Sequence, residues 1–596
     1  MNLDDKTLKE LQNYKEPARE GETITDPENH ERAGTGAEEP SDIPIEDTPS
    51  QRDGGVSPAM QQLKSIIDER ATYFRVNQIE VWATLSTENG VIHMNTSSNK
   101  FSIFLGGLAV ENQLNPSDTV LKGVTNWIVF EVLNNPNNRI QQLHYRKGLD
   151  SEGNLWILRS VNPVDYIKVT KTSVESQIPT CPIKIVLNDT AEDLPLPLQE
   201  LSHGDLNIVN EYINLQPQYI PLFHSLLVSF YLLQGEFPIV LPQGQQRTGK
   251  STMIKIMYEL ADPNSNQLRA MFQDKWSMYT AASNTHLFGL DNISNIPNWF
   301  ADSICQISTG GTFENRTHFS MTETTAIQLC NPIIIGAITQ ITNATDVISR
   351  SVLLPTNPID PSNIRTNSEF WDSFKSDKRT IFTGLLKAIG YTLKNQSRTP
   401  TDNISRISDF HIVGRTLSGY GLSWKVDFDT AMAGSIEETN EQIVDEHPIA
   451  KLLIMHLDGR GVSELEYTAT EWGDQLETIH PNLNETELRV LFNQVKNHEV
   501  RYLGRAFTRL APALDEIGYS LIRRRVKGKS YWKFKRINES HATHTTHATP
   551  RAEESTSVGS MSIKSSKNSP DPYDNGLERG DHTGRPWEDK KDNKNA

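Results

Sequence analysis

The chain is poor in cysteine and has no long apolar run, and each scarcity excludes a class of protein. Its three cysteines, Cys181, Cys305 and Cys330, stand far apart without histidine partners. Neither a disulfide framework nor a zinc spacing is available from them. No stretch approaches the roughly 18 apolar residues that a membrane span needs, and the first residues lack the apolar segment of a secretory signal. A cytoplasmic, reducing compartment and no membrane partner are therefore expected. A paired Asp-x-Asp on a strand, which would hold two catalytic metals, is also missing, so a polymerase or primase site finds no support.

Positive charge is in short supply too. There are 58 Lys and Arg against 75 Asp and Glu, a formal net charge of −17. That balance argues against a nucleic-acid partner until its distribution is considered. Residues 1–58 are rich in Glu, Asp, Pro, Gly and Thr and hold about half of the excess negative charge. Such a segment buries too little apolar surface to fold, so a disordered acidic tail is expected. Residues 537–596, with Ser, Thr, His, Asn, Asp and Lys, read as a second disordered tail. Just before it, residues 501–536 carry eleven basic side chains against two acidic ones. The basic charge is concentrated where a folded domain ends.

What the chain does have is Gly244-Gln245-Gln246-Arg247-Thr248-Gly249-Lys250-Ser251, a complete Gly-x-x-x-x-Gly-Lys-Ser/Thr loop. Two glycines let the backbone wrap an anionic phosphate with its N–H groups pointing inward. Lys250 is placed for the β and γ phosphates, and the Ser251 hydroxyl for Mg²⁺. An apolar run of strand length, Phe237-Pro238-Ile239-Val240-Leu241, precedes the loop, and residues 251–260 have helical spacing of apolar residues. Residues 244 to Thr252 are thus the expected ATP-binding segment.

At 596 residues there is room for three or four domains. Residues 59–197 read as an α+β domain, with a hairpin signal at Asn89-Gly90 and a linker at Leu194-Pro195-Leu196-Pro197. Residues 198–433 alternate strands and helices as an α/β nucleotide-binding domain with a helical extension. A polar break is expected at 434–440. Residues 434–536 then read as helices followed by two short basic strands, the pattern of a winged helix.

Within the α/β domain, Leu287-Phe288-Gly289-Leu290-Asp291 is the candidate second strand, with Asp291 as the acid that orders Mg²⁺. Asn292 follows, and an amide cannot take a proton, so Glu314 or Glu323 is a candidate base, or water is only positioned. Gly310-Gly311, ahead of Phe313 and Arg316, fits either a protruding hairpin or a tight turn. A third apolar strand at residues 332–338 leads to Asp346 and Arg350, a candidate arginine finger.

This ordered set resembles the replication ATPases of phages, plasmids and integrated elements, which are similar to superfamily 3 helicases and viral primase-helicases of the AAA+ P-loop class. The resemblance spans residues 146–536. It implies a homo-oligomeric ring, commonly a hexamer, with ATP between subunits, single-stranded DNA in a central channel and a possible primase partner. It also implies Lys250 and Ser251 as phosphate and metal residues, Asp291 as the Walker B acid, Arg350 as the finger and Arg316 as a channel cation. The chain departs from the family where Ile335-Gly336 replaces the usual strand-end Asn, leaving Thr339, Gln340 or Asn343 as substitutes. It departs again at Asn292, where a second carboxylate is usual.

At the C-terminal end Arg501, Arg505 and Arg509 recur every four residues and share a helix face. Beyond them stand Arg523, Arg524, Arg525, Lys527 and Lys529, interleaved with Tyr519, Tyr531, Trp532 and Phe534. Cations attract phosphates and aromatics can stack on bases. The alternative is a solvated basic face over an aromatic core. For the whole chain, an ATP-driven DNA translocase or helicase-like protein of a mobile element is expected. The alternatives are a nucleotide-switched DNA-binding initiator or regulator, and a defence ATPase.

Overall fold

The computed structural model describes residues 56–293, 296–316, 324–337, 345–360, 362, 364–478 and 499–537. The two expected tails lie almost wholly outside the described residues. So do Glu323, Thr339, Gln340 and Asn343, and the side chains of Arg316 and Arg501.

The first element is α1 (Pro58–Arg70), with Pro58 in its first turn and the Ser57 hydroxyl accepting the Met60 N–H at 3.2 Å. Strands β1 (Ala71–Arg75), β2 (Val81–Thr87) and β3 (Gly90–Asn95) form an antiparallel meander. Gly90, at φ 119°, makes the expected turn between the last two. Helices α2 (Asn99–Glu111) and α3 (Asp118–Asn134) close a core around Leu63, Ile67, Leu85, Phe101, Leu105 and Ile128.

A second group follows. Strand β4 (Leu143–Tyr145) pairs in parallel with β9 (Lys184–Val186). Strands β5 (Lys147–Leu149), β6 (Leu155–Val161), β7 (Val164–Val169) and β8 (Val174–Ile178) make a four-stranded antiparallel sheet in that order. Its inner face is not separated at residue 197. Leu155, Ile157, Ile167 and Val169 share one core with Leu206, Phe223 and Met253.

The central group contains α4 (Ile220–Leu232), β10 (Ile239–Gln243), α5 (Lys250–Ala261), α6 (Lys275–Ser283), β11 (Phe288–Ile293) and α7 (Asn298–Thr309). It continues with β12 (Thr312–Arg316), β13 (Thr324–Gln328), β14 (Ile333–Ala337), α8 (Thr345–Ile348), β15 (Ser351–Pro355), α9 (Asn367–Asn395), α10 (Ser408–Ser418) and α11 (Phe428–Glu446). Four strands make a parallel sheet in the order β11-β14-β10-β15. Their near-continuous Ile, Val and Leu content matches burial on both faces. Strands β12 and β13 form a separate hairpin.

The polar stretch 434–440 is not a break. It lies inside α11, where Ser435 is buried against Leu353 and Tyr219 donates to Glu438 at 2.7 Å. Ser435, Glu438 and Thr439 have partners there, and the helix runs on to Glu446. Phe428 and Met432 join the central core, and Ile443 and Val444 join the last one.

That last core gathers Trp472, Phe507, Leu510, Trp532 and Phe534. It is built by α12 (Pro448–Arg460), β16 (Glu464–Thr468), α13 (Ala469–Thr478), α14 (Glu499–Glu516), β17 (Tyr519–Val526) and β18 (Lys529–Arg536). The strands form an antiparallel sheet in the order β16-β18-β17.

Candidate nucleotide site and basic surface

The glycine loop lies where the sequence places it, between the end of β10 and the start of α5. Its backbone needs residues that accept positive φ: Gly244 is at 144°, Arg247 at 66° and Gly249 at 85°. At Gly244 the demand is also steric, since a Cβ would meet Thr356 Oγ1 at 2.1 Å. Thr356 Oγ1 lies 2.7 Å from both the Gln243 carbonyl and Thr248 Oγ1, with one proton to give to either. Thr248 in turn donates to the Gln245 carbonyl at 2.9 Å. Asn214 braces the far side by donating to the Thr248 carbonyl at 3.1 Å. Thr248 is buried under residues 244–247, which are exposed. Thr356 and Asn214 carry no local sequence signal.

Lys250 opens the helix and donates to the carbonyls of Gly244 at 2.6 Å and Gln245 at 2.5 Å. Burial pulls its ammonium below the ordinary lysine range, and the Asp291 charge opposes that shift. The next residue reaches across the sheet: Ser251 Oγ donates to Asp291 Oδ2 at 3.0 Å. Asp291 Oδ1 is held by the Asn292 N–H at 2.9 Å, with Asn292 at φ 62°. Asparagine tolerates that left-handed conformation better than most residues. Gly336, paired with Asp291 across β14 and β11, leaves room for the carboxylate.

The donor set fits Mg²⁺ with a nucleotide. A helix N-terminus preceded by glycines favours an anion. One hydroxyl and one carboxylate are hard oxygen ligands of the number this ion takes when phosphates complete its shell. Among the described residues no group of three or more His, Cys, Asp or Glu could hold a metal ion alone.

Other candidates are not brought to this loop. The Arg350 carbonyl accepts the Ile239 N–H at 2.9 Å, so Arg350 sits at the edge where β10 and β15 begin. The loop leaves the opposite edge, a strand length of roughly 16 Å away at about 3.3 Å per residue. Arg350 is held there by Asp346, through its carbonyl at 3.0 Å and its carboxylate at 3.2 Å. Glu314 is exposed on the β12–β13 hairpin. Gly310, at φ 88°, ends α7, so the glycine pair serves as a helix terminator that opens a hairpin. Phe313 fixes the hairpin base against Tyr279, ring centroids 4.3 Å apart.

In the C-terminal group Arg505 and Arg509 are exposed on α14, opposite the buried Leu503, Phe507 and Leu510. Val526 faces Lys529 across a two-residue Lys527-Gly528 turn, both at positive φ, as tight hairpins require. The period of two splits the arginine run. Arg523 follows Leu521 to the helix side, where its guanidinium lies 5.9 Å from the Trp532 ring centroid. Arg525 shares that side, whereas Arg524 projects from the other beside Ile522 and Val526.

Fold and site together define a mixed α/β protein with a strand–glycine loop–helix unit whose Ser251 meets an aspartate from another strand. No helix among the described residues is long and apolar enough to cross a membrane. Residues 225–426, about a third of the chain, match the family model of the actinomycete integrative conjugative element replication protein. No curated protein matches the sequence. Among solved structures, an active helicase, Cch of SCCmec type IV, aligns with TM-score 0.40 and 12% identity over 78% of this chain and 94% of its own. The apo C-terminal region of NrS-1 aligns with TM-score 0.31 and 10% identity over 81% of this chain and 100% of its own. TM-scores below 0.5 are too low for either likeness to bear on what this chain does.

Proposed function

We propose that this chain is an ATP-hydrolysing, helicase-like DNA translocase that serves replication of a mobile element. The observation that carries the reading is the 3.0 Å contact of Ser251 with Asp291 beside the glycine loop. In a phosphate-loop ATPase those two groups hold Mg²⁺ while the lysine neutralises the phosphates. Bound Mg²⁺-ATP supplies the phosphoanhydride whose cleavage drives movement. Gly244 to Thr252 cradle it, Lys250 stabilises its charge, and Asn292 orients rather than deprotonates water. The match of residues 225–426 to a conjugative-element replication family supports the replication role.

The finer parts belong to the same proposal. Arg350, remote from its own loop, is suited to act on a neighbouring subunit, which favours a homo-oligomeric ring such as a hexamer. The β12–β13 hairpin with Arg316 is the element for single-stranded DNA in its channel. The order helix, strand, helix, helix, strand, strand after residue 447 supports a winged helix that takes duplex DNA on Arg501, Arg505, Arg509 and the 523–529 wing. Boundaries at 58 and 536 and a primase as a partner belong to the same proposal, whereas those expected at 197 and 433 fall within a shared core and within α11.

Asn292 in place of a carboxylate favours a second reading, a nucleotide-switched DNA-binding initiator. ATP-dependent displacement of a labelled strand supports the translocase. Nucleotide-dependent duplex binding without displacement supports the initiator.

A further inference from the structure

The end of α5 remote from the glycine loop is built as carefully as the loop itself. Asp262, which ends that helix, is 4% exposed at its side chain, and Arg146, 1% exposed, donates to its Oδ1 through Nε at 2.9 Å. Asp262 Oδ2 accepts from the Leu287 N–H at 3.1 Å, the His286 N–H at 3.3 Å and Thr285 Oγ1 at 3.4 Å. One turn earlier, Tyr258 donates to the Leu287 carbonyl at 3.1 Å and accepts the Gly289 N–H at 2.6 Å. Both polar groups of Leu287, the residue that leads into β11, are therefore held by α5.

Arg146 anchors this joint to the preceding sheet. Its Nη1 donates to the Leu158 carbonyl at 3.3 Å, and its Nη2 to those of Glu192 at 2.9 Å and Pro263 at 3.2 Å. Its backbone sits at φ 63°, an uncommon conformation for a non-glycine residue. A buried guanidinium with four acceptors satisfies the buried carboxylate it faces, and removing either alone leaves an uncompensated charge.

Helix α5 has 12 residues and so spans about 18 Å. At one end Ser251 meets Asp291 of β11, and at the other Asp262 meets the residues that lead into β11. Helix and strand form a closed frame, fixed at both ends. A tilt at the Asp262 end changes the separation of Ser251 and Asp291 at the other.

We propose that Arg146, acting through Asp262, is a positioning residue for the Mg²⁺ ligands, so that the sheet before residue 197 forms part of the ATPase. The proposal rests on the reading of the glycine loop as a nucleotide site. Arg146→Lys keeps the charge beside Asp262 but loses the planar fork that serves three carbonyls at once. The double variant Arg146→Met/Asp262→Asn removes both charges and strands neither, so it decides the matter if Arg146→Lys does not fold.

The test is binding of a fluorescent ATP analogue to the full chain, titrated with Mg²⁺. The Mg²⁺ required for half-maximal binding is expected to rise by about 10- to 100-fold, the range for losing groups that orient metal ligands. Affinity without Mg²⁺, which depends on the glycine loop alone, is expected to stay that of the parent. Folded variants with the parent's Mg²⁺ dependence overturn the proposal, as does equal loss with and without Mg²⁺. A parent that binds no analogue overturns the nucleotide reading itself, a separate and recognisable failure.

Discussion

Gly336 stands beside Asp291 in the parallel register of β14 and β11, and a Cβ there would lie 2.3 Å from Asp291 Oδ1. The side chain missing from one strand is the space that the carboxylate of the next strand occupies. Ile254 of α5 closes the same space, 3.1 Å from that Cβ position.

Gly336→Ala is therefore expected to displace the Asp291 carboxylate and weaken its pairing with Ser251. Mg²⁺-dependent ATP turnover should fall by about tenfold or more, as for other losses of metal-ligand orientation. Nucleotide binding without metal should persist. Parent turnover, measured by phosphate release, would show that Asp291 is not confined by this strand.

Arg350→Ala should bind ATP as the parent does and hydrolyse it roughly 10³-fold more slowly, if Arg350 acts as a finger. Because Arg350 lies at the sheet edge away from its own loop, mixing this variant with Lys250→Ala should restore part of the activity. A mixed interface then pairs an intact loop with an intact arginine. No recovery on mixing removes the case for a shared site.

The alternating period of β17 separates the basic residues into two sets. Arg505→Ala/Arg509→Ala should weaken duplex binding and reduce the salt slope by about two, because each lost phosphate contact releases about one fewer counterion. Arg525→Ala should act in the same direction, since Arg525 extends on the helix side of the sheet. Arg524→Ala, on the opposite face, should change the slope less. Filter binding over a salt series reads all three.

Lys147 is buried, donates to the Leu233 carbonyl at 2.6 Å, and is pushed down to about 7 by burial. The unfolded chain keeps that proton up to about 10.5, its ordinary value, so folding expels a proton between pH 7 and 10.5. Stability from this site rises with pH across that window and is lowest below it. Lys147→Met should flatten that slope, with its largest advantage over the parent near pH 6. Melting temperatures of both proteins from pH 6 to 10 check this, and parallel curves refute it.

The glycine loop and Asp291 were legible because each is announced locally, by glycine spacing and by a strand that ends in an acid. Gly336 was legible only as a missing asparagine, since its role depends on the register of a strand 45 residues earlier in the chain. Arg146 and Asp262, 116 residues apart, leave no local pattern at all. The stretch 434–440 reads as a break because Glu437, Glu438, Thr439 and Asn440 are polar, while the burial of Ser435 against Leu353 is a tertiary fact. In the basic strands the residue types were plain, but the division of Arg523 and Arg525 from Arg524 needed the pairing with β18.

The central claim is that the loop from Gly244 to Ser251, with Asp291, binds and hydrolyses Mg²⁺-ATP in work on DNA. The most direct measurement is ATP turnover by the full chain, with and without single-stranded DNA, for the parent, Lys250→Ala and Asp291→Ala. The account predicts Mg²⁺-dependent turnover that single-stranded DNA increases and that both substitutions abolish. Turnover unchanged in both variants, or no turnover by the parent with DNA present, would contradict it.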